Sequence, residues 1–132
     1  MAATETATDR DAITSTVQLY VDGASSGDVA KLRDAFHQEA RMFGSVGGQR
    51  FDMPIAQMFD LVASQPMDTD GAYSARVTSV EQVGDVATAT LEESGCWGAV
   101  SFVDFFALAR IEGTWKIVSK VFAHTGGEMP AA

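Results

Sequence analysis

The sequence predicts an α+β domain, with helices from its first half packed on an antiparallel sheet supplied largely by its second half. Two observations predict this. Apolar residues recur at the helical period through Val62 and at the alternating period of strands from Tyr73 onward. Two tight-turn pairs, Gly84-Asp85 and Glu112-Gly113, then join long strands in succession. Helices first and a meander afterwards is the α+β order, as opposed to the alternation that builds a parallel sheet.

The elements follow in order. Thr8 with Asp11 three residues on predicts a helix start, and Ile13, Val17, Tyr20 and Ala24 form its apolar stripe. Ser25-Ser26-Gly27 stops it. Asp28 can cap a second helix with a stripe of Val29, Leu32 and Phe36. Two short extended pieces, Arg41 to Val46 and Arg50 to Met53, flank Gly48 and Gln49. Pro54 suits a first helical turn, and Ile55, Met58, Phe59 and Val62 make one apolar face. After a polar loop over 65–71, strands run from Tyr73 to Val83, Val86 to Ser94, Trp97 to Ile111 and Thr114 to His124. The head (1–7) and the tail (126–132) are expected to fray.

The 132 residues suit a single domain spanning the chain, able to bury about two-thirds of its unfolded surface without a staple. The net charge of −9 argues against nucleic acid or an anionic membrane surface as partner, since both need a basic face. A single cysteine, Cys96, excludes an internal disulfide and fits a reducing compartment. The N-terminus lacks the basic and apolar stretches of a signal peptide, and no apolar run reaches the ~18 residues of a membrane span. These features predict a cytoplasmic protein.

A two-residue turn at Glu112-Gly113 sets Ile111 opposite Thr114 and, continued outward, divides the last hairpin into two faces. Phe102, Asp104, Phe106, Leu108 and Arg110 join Trp115, Ile117, Ser119, Val121 and Ala123 on one face. Val103, Phe105, Ala107 and Ala109 join Lys116, Val118, Lys120, Phe122 and His124 on the other. Both faces are apolar. One is the core, and the other is expected to meet a second copy of the chain through Val103, Phe105, Val118, Lys120 and Phe122. A covering by the chain's own helices and tail is the competing explanation.

Three stretches carry a family likeness: Tyr20 to His37 (YVDGASSGDVAKLRDAFH), the Gly84-Asp85 hairpin followed by VATATL, and Val103 to Phe122 (VDFFALARIEGTWKIVSKVF). Together they resemble the nuclear transport factor 2-like superfamily, nearest to its SnoaL-like and putative lumazine-binding small bacterial members. The resemblance implies a cystatin-like, cone-shaped barrel: three helices on a curved antiparallel sheet, a cavity between them, and commonly a homodimer. It does not imply an activity, because the fold hosts enzymes, binding proteins and scaffolds.

Asp104 is the sharpest oddity, a carboxylate on an apolar face, costly there unless paired or protonated. It can be a neutral acid donating to a ligand oxygen, or a partner of Arg110 or Arg76. Tyr20, on the first helix, can reach the cavity or serve as a core tyrosine. The pair is similar to the tyrosine and protonated aspartate of ketosteroid isomerase, a member of the same superfamily. The position corresponding to that enzyme's general base is Gly44 here, so an isomerase reaction lacks its proton acceptor. Phe43, Met58, Phe59, Val62, Trp97, Phe102 and Ser119 are the candidate cavity lining, and they are also what a filled core needs. His37 is expected to complement a helix end or pair with Glu39, and His124 to be solvated or interfacial. No metal or phosphate motif is present, and no cofactor is expected. Three functions fit: a small-molecule binding protein for an apolar or aromatic ligand, a SnoaL-like lyase, isomerase or cyclase that polarises a carbonyl with Tyr20 and Asp104, and a dimeric scaffold with a filled cavity.

Overall fold

The structure, a computed structural model, describes the backbone of residues 2–128 and the side chains of residues 9–128. Three helices and six strands follow one another as α1 (Ala2–Ser26), α2 (Val29–Ala35), β1 (Phe36–Val46), β2 (Gln49–Pro54), α3 (Ile55–Ser64), β3 (Ser74–Val83), β4 (Val86–Cys96), β5 (Val100–Ile111) and β6 (Thr114–Gly126). The strands form one sheet in the order β2-β1-β6-β5-β4-β3. Every neighbouring pair is antiparallel except β1 with β6, which is parallel. That parallel pairing closes the chain: the last strand returns to the hairpin formed between the helices.

Local chemistry explains the elements. The α1 stripe of Ile13, Val17, Tyr20 and Ala24 is buried without exception. Asp28 caps α2, its carboxylate accepting from the backbone N–H of Ala30 at 3.1 Å and of Lys31 at 3.4 Å. The α3 face of Ile55, Met58, Phe59 and Val62 is buried. Gly47 and Gly48, at φ +57° and +83°, supply the positive dihedrals of the tight β1–β2 turn.

Several boundaries differ from expectation. α1 begins at Ala2, ahead of Thr8, so the head expected to fray is helical from residue 2; Met1 and residues 129–132 of the tail lie outside the described residues. Phe36 opens β1 and does not belong to the second helix. β5 begins at Val100 because Trp97 and Gly98 make the turn, and β6 continues past His124 to Gly126. Among the described residues no helix is long and apolar enough to cross a membrane.

The most consequential difference is in β6. The register starts as the turn dictates, with Ile111 opposite Thr114 and Leu108 opposite Ile117. Ala107 then pairs with Ser119, so Val118 is an extra residue, a β-bulge. Beyond it every β6 side chain changes face. Lys120 and Phe122, expected outside, are buried inside, while Ser119 and Val121, expected inside, turn outward. The exposed apolar ladder on the outer face is therefore Phe43, Val121 and Phe105, paired in register across β1, β6 and β5, with Val121 45% and Phe105 61% exposed.

Candidate functional site

Between α3, the β1–β2 hairpin and the β4–β5 turn lies a cavity of about 170 Å³. Its wall is apolar: Met42, Met53, Met58 and Met67 supply thioethers, and Phe51, Trp97, Phe102 and Phe122 supply rings. The Trp97 backbone, at φ +52°, donates its N–H to Met67 O at 2.7 Å, and the indole N–H donates to Gln65 O at 2.8 Å. These bonds fasten the loop after α3 to the β4–β5 turn beside the cavity. One lining side chain carries a charge, Lys120.

Lys120 is 4% exposed, and its ammonium is held from several sides. It lies 4.5 Å from the Phe122 ring centroid and 5.6 Å from that of Tyr20, both cation–π distances. Its nitrogen is 3.9 Å from Asp104 Oδ1. Asp104 is wholly buried, and apart from the neighbouring Glu93 carboxyl neither of its oxygens has a hydrogen-bond partner among the described residues. Next to it on β4 is Glu93, also buried. The Tyr73 hydroxyl donates to Glu93 Oε2 at 2.6 Å, and the Tyr20 hydroxyl stands 3.5 Å from both Glu93 oxygens. Five polar side chains from α1, the approach to β3, β4, β5 and β6 thus meet behind the apolar cavity.

The electrostatics follow from this crowding. Burial, and then the Asp104 carboxyl beside it, push Glu93 well above the usual carboxylate range, while Lys120 and the Tyr73 hydroxyl partly oppose the shift. Burial and the Glu93 charge likewise raise the Tyr20 and Tyr73 hydroxyls, so both remain donors. The Cys96 thiol is also pushed up by burial and by Glu93, which keeps it from acting as a thiolate.

Of the residues singled out from the sequence, Met58, Trp97 and Phe102 line the cavity. Tyr20 and Asp104 lie together behind it, but Tyr20 is directed at Glu93. Phe43 and Ser119 are on the outer face and do not line it: β1 parity turns Phe43 out, and the Val118 bulge turns Ser119 out. Phe59 packs against Phe36 at 5.7 Å on another side of the core, and Val62 is core without reaching the cavity. Neither arginine expected beside Asp104 is there. Arg110 pairs with Asp9 and Asp85, and Arg76 with Glu92. Gly44 has no room for a base, because a Cβ there would sit 2.6 Å from the Phe122 ring.

Three members of the cluster were not expected there, and Lys120 was assigned to the partner-facing side. Glu93 was legible in part, since it shares the parity of Ala87, Ala89 and Leu91 on the buried side of β4. Tyr73, expected to open its strand, precedes it, and nothing in the alternation marks its hydroxyl for the cluster. Lys120 was hidden by the bulge. The histidines stand apart from the cluster. His37 Nδ1 accepts from the Glu39 N–H at 3.1 Å, and His124 Nδ1 accepts from the Gly47 N–H at 3.2 Å. Among the described residues no group of three or more His, Cys, Asp or Glu side chains is arranged to hold a metal ion.

Comparison with known proteins covers nearly the whole chain. The profile of a family described as "Putative lumazine-binding" matches residues 8–123. The aldolase FrzH of Cladobotryum sp. is 25% identical over 122 residues, covering 92% of this chain and 96% of that protein. A solved nuclear transport factor 2-like protein of unknown function from Methylobacillus flagellatus KT is 33% identical, with a TM-score of 0.82 over 90% of this chain and 94% of its own. Another, from Silicibacter pomeroyi DSS-3, is 27% identical with a TM-score of 0.83 over 91% and 98%. A cystatin-like fold protein from Burkholderia xenovorans LB400, 16% identical with a TM-score of 0.66 over 91% and 92%, shares the fold alone.

Proposed function

The chain belongs to the family described as putative lumazine-binding, within the nuclear transport factor 2-like superfamily, and from that premise we propose that its cavity binds a small, largely apolar molecule bearing a carbonyl group. The observation that carries this reading is Lys120, a buried ammonium in the wall of a cavity that is otherwise almost wholly apolar. A cavity of ~150 Å³ holds benzene, so about 170 Å³ suits one ring with a short substituent. Apolar walls supply affinity, and Lys120, the one charged donor of the lining, fixes orientation. A neutral carbonyl accepts from Lys120 without adding charge beside Asp104 and Glu93, whereas an anionic ligand would face two buried carboxyl groups. Thermal stabilisation across paired single-ring ligands tests this: aldehydes and ketones should outperform hydrocarbons of equal size, and lumazine itself belongs in the screen. Equal stabilisation by both classes would remove the carbonyl requirement, and no stabilisation by any would remove the pocket.

The likeness to the Cladobotryum aldolase favours a second reading in which the bound carbonyl is also transformed. In that reading Lys120 and Asp104 polarise the carbonyl. Tyr20 acts on Glu93, not on the ligand. A ketosteroid-isomerase-like proton transfer at Gly44 is disfavoured, because the Phe122 ring fills that space.

We also assign the outer face of the sheet to a second copy of this chain. Around Phe105 and Val121 the surface is formed by Thr88, Thr90, Ala107 and Ser119, none of them charged. In a chain of net charge −9, two such patches can meet without bringing acidic groups together. A cytoplasmic setting is part of the same reading.

A further inference from the structure

We infer that Lys120 is a covalent site, whose amine condenses with an aldehyde or unhindered ketone held in the cavity to give an iminium. This rests on the carbonyl-binding reading and goes beyond it, from a hydrogen bond to a bond. Three features of the site support it. The chain has three lysines, and of these only Lys120 is both buried and part of the cavity wall. Lys116 donates to Asp34 O at the surface, and Lys31 is exposed. Lys120 therefore joins the cavity wall to the buried Asp104 behind it.

The second feature is a proton acceptor in place. Asp104 Oδ1 is 3.9 Å from the nitrogen, and the other group beside its carboxyl is the Glu93 carboxyl. The ammonium passes one proton to Asp104, and the amine lone pair attacks the carbonyl carbon while the carbonyl π pair moves to oxygen. Asp104 returns the proton to the resulting alkoxide, which becomes a hydroxyl. The C–O bond then breaks, and the oxygen leaves as water with the second proton released from nitrogen through Asp104. Nitrogen keeps one hydrogen, the new C=N bond and the positive charge.

The third feature is that charge balance. Ammonium and iminium carry the same charge, so the condensation leaves Asp104 facing a cation and leaves the Phe122 and Tyr20 rings, at 4.5 and 5.6 Å, facing one too. No buried charge is orphaned at any stable stage.

The test uses the full chain with benzaldehyde and sodium cyanoborohydride, which delivers hydride to the iminium carbon and leaves a stable benzylamine. Peptide mapping should find the benzyl group on Lys120 at a rate at least about tenfold above Lys31 and Lys116, a small share of the advantage that positioning gives. Labelling confined to Lys31, Lys116 or the N-terminal amine would overturn the inference. Benzyl alcohol, which fits the cavity but cannot condense, separates the two readings. Stabilisation by it without Lys120 labelling removes the iminium and leaves the pocket, and absence of both removes both. Lys120→Arg should lose the trapped adduct from that position, and a benzyl adduct unchanged in yield elsewhere on the chain would confirm that the reagent still reacts.

Discussion

Lys120 Nζ lies 3.9 Å from Asp104 Oδ1 on the buried face of the sheet, and neither residue has another ion-pair partner among the described residues. The two side chains are 5% and 0% exposed, so water cannot take the place of either partner. Lys120→Met should cost about 3–5 kcal/mol, the usual penalty for stranding a buried charge. Adding Asp104→Asn to that variant should recover a large part of the loss. Urea unfolding of the four proteins in this cycle measures the coupling, and strictly additive losses would mean that the pair does not interact.

Tyr73→Phe removes the donor that sits 2.6 Å from Glu93 Oε2 and leaves a buried acceptor short of a partner. The expected loss is about 1–3 kcal/mol. Tyr20→Phe removes a longer contact, 3.5 Å from each oxygen, and should cost less. The reverse order, by denaturant unfolding, would show that Tyr20 is the principal partner of Glu93.

Glu93 makes stability depend on pH in a definite direction. Its ordinary value is 4.5, and burial with Asp104 nearby raises it in the fold. Below 4.5 both folded and unfolded chains hold the proton, and the full contribution is present. Above it the unfolded chain releases its proton while the folded chain keeps one, so stability falls as pH rises until the raised value is passed. Glu93→Gln lacks this loss. Its melting temperature should therefore gain on the parent protein as pH goes from 4 to 8, and a constant gap across that range would refute the assignment.

Gly44 is constrained by packing, not by a turn. Gly44→Ala puts a Cβ 2.6 Å from three atoms of the Phe122 ring and should cost about 1–3 kcal/mol through overpacking. Gly44→Ala with Phe122→Leu should be less costly than the single losses added together. An unchanged melting temperature for Gly44→Ala would show that the ring moves aside freely.

Phe105→Glu places a carboxylate in the centre of the exposed Phe43, Val121 and Phe105 ladder. If a second copy covers that face, light scattering at micromolar concentration should give a dimer for the parent protein and a monomer for the variant, with the fold retained by circular dichroism. A monomeric parent protein would end the proposal.

The sequence by itself determined the class of fold and most of the core. Helical spacing marked Ile13, Val17, Tyr20 and Ala24 on α1 and Ile55, Met58, Phe59 and Val62 on α3, and tight-turn residues marked the hairpins, because both signals are local. It also marked Asp104, since a carboxylate between Phe102 and Phe106 violates the alternation around it. What it could not determine was Asp104's partner. The Val118 bulge reverses the parity of the rest of β6, and a strand that is apolar on both faces gives no sign of the reversal. Tertiary structure alone therefore decided that Lys120 faces inward and Ser119 outward. It likewise decided that Tyr20, Tyr73 and Glu93 meet, because each comes from a different element and their approach is set by the order of strands in the sheet. Local periodicity fixes which face a residue occupies only while the register is unbroken, and the chemistry of this site lies just past the break.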